Sequence, residues 1–147
     1  MYIGNLIGSI LLAYTISKAQ LVNENIVNSA LNIGIAKTSL TFKAAFLKGI
    51  FCNILVVLAV WSSSAAQDIA SRVLAIWFPI MLFVLSGFEH SVANMFFLPF
   101  AKYLGLAISW MDIWTSNLIP VTLGNIVGGG LIIPTVYYIA YILPAKK

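Results

Sequence analysis

Charge is what this sequence has least of: Lys, Arg, Asp and Glu make up 8% of its 147 residues, against 61% hydrophobic. A soluble domain carries charge on roughly a quarter of its residues. A wholly water-facing surface is therefore excluded, and a mean hydropathy of +1.01 requires lipid to cover much of the chain. Cationic runs are missing too. The net charge of +4 comes from scattered residues, and no Lys/Arg cluster interleaves with aromatics, so no nucleic-acid partner is expected. Cys52 is the sole cysteine and His90 the sole histidine. One cysteine cannot close an intramolecular disulfide, and its apolar setting reads as a buried, inert thiol. One His and one Cys cannot assemble a metal cluster or a bis-His haem site. With no catalytic triad or nucleotide loop either, no metal, no cofactor and no enzyme activity are expected. A signal peptide's basic opening segment is also lacking. Met1 runs straight into apolar sequence and the first charge is Lys18, so the chain is expected to begin inside a transmembrane helix, as a fragment.

What is present are long apolar runs. A membrane-spanning helix needs about 20 mostly apolar residues. Residues 1–17 form a short uncharged candidate. Residues 18–39, with Lys18, Glu24, Lys37 and four asparagines, read as an extramembrane loop, with a weak amphipathic turn through Ile26, Val27, Ala30 and Leu31. Residues 40–66 make a second span, and residues 67–72 a polar connection. Residues 73–108 stay apolar for 36 positions except at Glu89, His90 and Lys102. As straight helix this run would be about 54 Å long, well beyond the bilayer core. Halving it gives two spans that are too short. One crossing broken near residues 86–91 resolves the mismatch. Residues 109–116 then read as interfacial, with Trp110 and Trp114 beside Asp112, and residues 117–143 as the last span.

Glu89 and His90 are expensive in hydrocarbon and should face protein or water. A helix break frees backbone polar groups, tolerable only where they line a cavity or are buried in protein. The amides and positive dipole end of the following half-helix would favour an anion. Imidazole is the side chain suited to proton exchange near neutral pH. The plainer alternative is a packing kink with a hydrogen-bonded Glu–His pair. One repeat is visible: Gly4-Asn5-Leu6-Ile7-Gly8 recurs as Gly124-Asn125-Ile126-Val127-Gly128. Both place glycines at small-xxx-small spacing for close helix contact, as corresponding halves of an inverted repeat would.

Three motifs in order carry a family resemblance. Ser86-Gly87-Phe88-Glu89-His90-Ser91-Val92-Ala93-Asn94-Met95-Phe96 resembles the signature of the formate/nitrite transporter family. The approach to the second span is similar, with Lys37, then Phe46-Leu47-Lys48-Gly49-Ile50-Phe51-Cys52-Asn53 and Ala59-Val60-Trp61. So is Asn117-Leu118-Ile119-Pro120-Val121-Thr122-Leu123-Gly124-Asn125-Ile126-Val127-Gly128-Gly129.

The resemblance implies an all-α membrane protein with an aquaporin-like inverted-repeat helix bundle. The bundle is incomplete here, holding four of the family's six transmembrane helices, one of them interrupted. It further implies a homo-pentamer in the bilayer of the cell (inner or plasma) membrane, and proton-linked passage of a small monovalent anion. Formate comes first, nitrite or hydrosulfide after it. In family terms His90 matches the pore histidine that donates a proton, and Lys37 the lysine drawing anions into the vestibule. Phe83 and Val56 match constriction residues, and Asn53 and Asn125 polar residues of the central chamber. Glu89, with Ser91 and Asn94, supports the broken loop. Lys37 and Asn53 stand about 160° apart on an ideal helix, so Lys37 is expected on a distorted helix start or a loop. Lacking the family's first two helices, the chain is expected to be inactive alone. The alternative is a structural or regulatory subunit co-assembling with a full-length relative or complementary half. The resemblance puts the C-terminus in the cytoplasm. Counting Lys and Arg by side argues the other way, five (Lys18, Lys37, Lys43, Lys48, Lys102) against three (Arg72, Lys146, Lys147).

Overall fold

The structure is a computed structural model describing residues 1–19 and 21–144; Lys146 and Lys147, which bear on orientation, lie outside it. The described residues form helices α1 (Tyr2–Lys18), α2 (Glu24–Thr38), α3 (Phe42–Ala65), α4 (Ile69–Leu85), α5 (Ser91–Tyr103) and α6 (Trp110–Ile142), with no strand among them. α3 and α6 are long and apolar enough to cross a membrane, and α4 is a shorter apolar helix of the same kind.

The stretch 18–39, expected to be a loop, is mostly helix α2. The Asn23 side chain caps it by accepting the Ile26 N–H at 3.0 Å, and Glu24 meets the positive dipole end in the first turn. Ala30 and Gly34 lie one turn apart and are buried, while Asn25, Asn28 and Asn32 are exposed. A narrow stripe of small residues does the packing, and the polar remainder made the segment resemble loop. Other boundaries shift for similar reasons. Asp68 accepts the Ser71 N–H at 2.9 Å and starts α4 at Ile69, so most of the polar connection 67–72 is helix. A reciprocal capping box between Ser109 and Asp112 starts α6 at Trp110. The segment 109–116 is thus a helix start.

The chain divides into two compact units. In the first, Met1–Ala45 with Ser91–Pro120, α1 and α2 pack on α5. Met95, Leu98, Ile113 and Leu118 are buried there, with Tyr2, Leu6, Ile108 and Trp114 packed against them. A second cluster joins Ala13, Ala30 and Phe100. Helix α5 stops at Gly105, whose φ of 112° is left-handed. The Leu106 N–H reaches back to Ala101 O, and that of Gly105 to Lys102 O, the double closure of a Schellman turn. Leu106 is thereby placed against Gly34.

The second unit holds Phe46–His90 and the chain from Val121. Here Gly49 of α3 faces Gly124 of α6, and Gly128 faces Ile50, so closely that a Cβ on any of the three would meet backbone. This is small-residue packing of the kind that membrane helices use. The matching glycines of the repeat behave differently: Gly4 and Gly8 have open space where a side chain would be. Close contact at both copies was expected, and only the second makes it among the described residues. Helix α6 widens to π-helix at Ile113–Leu118, Val127–Ile132 and Tyr138–Ile142. Two of these stretches run up to Pro120 and Pro134, whose missing N–H groups interrupt the regular ladder.

Candidate functional site

The break after α4 is built by its own sequence. Gly87, at φ 62°, occupies the left-handed position that closes a helix at little cost only with glycine. The Gly87 N–H donates to Val84 O at 3.1 Å and the Phe88 N–H to Phe83 O at 3.0 Å, again a Schellman turn. The chain leaves α4 there and starts α5 at Ser91, immediately after His90.

The released peptide groups are held by asparagine. The Asn125 amide donates from Nδ2 to Glu89 O at 3.0 Å and to Gly49 O at 2.8 Å. The Glu89 N–H reaches Lys48 O at 3.4 Å. The Asn53 amide in turn donates to Asn125 O at 2.7 Å. One side chain of α6 therefore ties the broken strand of backbone to α3, satisfying groups that hydrocarbon could not. The close approach of Gly49 to Gly124 lets the Asn125 amide reach both carbonyls. Glu89 itself is buried. Phe88 stacks on Phe51 with centroids 5.6 Å apart, and His90 lies against Phe83 at 6.1 Å and 29°. Val56 is half-buried on α3, one turn beyond Asn53.

The remaining candidates belong to the first unit. Ser91 and Asn94 are buried in the first turn of α5. Lys37 stands in the last turn of α2, a regular helix end, where the sequence suggested a distorted start or a loop. Its Nζ lies 5.9 Å from the Phe97 ring centroid, within cation–π range. The structure therefore brings Glu89, Asn53 and Asn125 into one network and pairs His90 with Phe83. It sets Lys37 and Asn94 in a second network, through a residue that sequence reasoning missed: Asn117. Its Oδ1 accepts from Asn94 Nδ2 at 2.7 Å, and its Nδ2 donates to Lys37 O at 3.1 Å. The only signal was its place at the head of the motif containing Asn125. Among the described residues no three His, Cys, Asp or Glu side chains converge as a metal site would require.

The family model for the formate/nitrite transporter matches residues 1–139. The chain belongs to the formate/nitrite transporter family. A probable formate transporter of Methanothermobacter thermautotrophicus is 40% identical over 96% of this chain and 57% of its own length. The formate channel FocA of Escherichia coli is 34% identical over 97% of the chain and 57% of its own length. A solved pentameric formate channel with formate bound superposes with a TM-score of 0.85 at 36% identity, covering 96% of this chain and 64% of that one. These relatives are transporters and channels, not enzymes. The all-helical fold is that of formate/nitrite channels, and the chain is an integral membrane protein. It spans a little over half the length of these two curated relatives, 57% of each.

Proposed function

We propose that this chain forms part of a proton-linked pathway for small monovalent anions, formate ahead of nitrite and hydrosulfide, in a homo-pentamer embedded in the cell membrane with its C-termini in the cytoplasm. The observation that carries the reading is the clamped break: Gly87 stops α4, and Asn125 secures Glu89 O. The imidazole is left against Phe83, one residue before α5 begins. The pentamer and the choice of formate rest on what the solved relative is described as.

An apolar constriction at Phe83 and Val56 opposes a bare anion, because stripping water from a charge costs several kcal/mol or more. Formate avoids that cost once it is neutral. In this scheme imidazolium His90 gives its ring proton to the formate carboxylate, formic acid crosses the apolar zone, and the acid releases the proton on the far side. A proton from the entry side, relayed through water, then restores the imidazolium. One anion and one proton move per cycle, with no net charge. Lys37 raises the local anion concentration at the mouth. Glu89, Ser91 and Asn94 keep the broken backbone in place, while Asn53 and Asn125 line the chamber with amides.

The test is stopped-flow formate flux in proteoliposomes carrying the chain, alone and co-reconstituted with the part of a formate-channel relative that this chain does not match. Wild-type flux should rise as external pH falls, and His90→Ala should remove that dependence. Unaltered pH-dependent uptake in His90→Ala would refute the proton role. Flux through the chain alone would show that it needs no complementary segment.

A further inference from the structure

Helix α2 ends with carbonyls that have no partner within the helix, as every helix does. Ile35 O takes the Ser39 N–H at 3.0 Å, and Ala36 O takes the Ser39 hydroxyl at 3.0 Å. The carbonyl of Lys37 is reached from another helix, by Asn117 Nδ2 at 3.1 Å. A backbone carbonyl only accepts, so Asn117 must turn its NH2 to Lys37 and its oxygen to Asn94. Asn94 must then present its own NH2, which it does at 2.7 Å. The order of donors from α5 through α6 to α2 has one consistent direction. Both amides are fully buried, where an unmade hydrogen bond is costly.

The same face of α5 meets Lys37 a second time. Phe97 follows Asn94 by three residues, one helical turn, and its ring lies 5.9 Å from Lys37 Nζ. The backbone of Lys37 is thus held through Asn94 and Asn117, and its ammonium rests over the next turn of that helix. Asn117 sits in the π-helical stretch Ile113–Leu118, a local widening of the kind found at functional positions. We propose that Asn117 is a positioning residue for Lys37: the Asn94–Asn117 bridge sets where the ammonium stands and so the efficiency with which it gathers anions. This rests on the anion-gathering role proposed for Lys37.

The experiment measures flux against formate concentration for Lys37→Ala, Asn117→Leu and the double variant, in the same proteoliposomes. Asn117→Leu should raise the half-saturating formate concentration about three- to ten-fold, the scale of coupling through a packed network, with maximal flux per assembled protein little changed. Added to Lys37→Ala it should raise it no further, because both changes act on one group. Where Asn117→Leu fails to assemble, Asn94→Asp takes its place. That carboxylate cannot donate to Asn117 Oδ1 and should shift half-saturation in the same direction. A fall in maximal flux without a shift in half-saturation, or an additive shift in the double variant, overturns the positioning role. An unchanged half-saturation in Lys37→Ala itself overturns the gathering role on which it rests.

Discussion

Two asparagines of α6 do comparable work: Asn117 donates a side-chain N–H to Lys37 O in the last turn of α2, and Asn125 donates to Gly49 O of α3 and to Glu89 O in the break after α4. Asn125 serves two carbonyls, so its replacement by leucine removes both of these hydrogen bonds. Interhelical hydrogen bonds in membrane proteins are individually modest, and the loss in Asn125→Leu should total about 1–3 kcal/mol. It should appear as a lower thermal midpoint in detergent, with Asn53→Leu losing less because one bond is involved. A different polar residue responds to pH. The Asp68 carboxyl is held below its usual range chiefly by the Ser71 hydroxyl and then by the Ser71 N–H. A depressed folded-state value means that the cap contributes above the unfolded carboxylate value and is lost as pH falls through the folded one. Amide exchange in the first turn of α4 should therefore quicken only in that acidic window, and Asp68→Ala should show the faster exchange at every pH. Of these residues, Glu89 and His90 could be singled out because ionisable groups are rare in an apolar run, while Asn53 and Asn125 were indicated only by the family resemblance. Asn117 could not. Its role depends on which carbonyl lies opposite, and nothing local in the chain encodes that.

At the scale of elements, the break between α4 and α5 was legible from length, and the structure adds the glycine that makes it. A run of 36 residues interrupted by charged or titratable side chains only at Glu89, His90 and Lys102 exceeds one bilayer crossing, and Gly87 provides the left-handed stop. Helix α2 was not legible, since composition reports hydration and says little about a helix held by a two-residue stripe of Ala30 and Gly34. The pairing of α3 with α6 depends on glycine in the same way. A side chain at Gly128 would strike the Ile50 backbone, and the helices must separate to admit it. Gly128→Leu should cost about 1–3 kcal/mol or more through overpacking. Separation would also withdraw the Asn125 amide from Gly49 O, so thermal stability and pH-dependent flux should fall together. Gly4→Leu, at a position with open space around it, should leave stability within about 0.5 kcal/mol of wild type, as surface changes generally do.

For the whole molecule, membership of the formate/nitrite transporter family fixes the fold, and the clamped break supplies the chemistry to be tested. The central claim is that charge does not cross alone: each anion travels with a proton passed through His90. The most direct measurement follows luminal pH and formate together in proteoliposomes whose membrane potential is clamped at several values. The account predicts one proton delivered per formate, a rate indifferent to the clamped potential, and loss of this coupling in His90→Ala. Formate entry that tracks the potential and leaves luminal pH unchanged would contradict it.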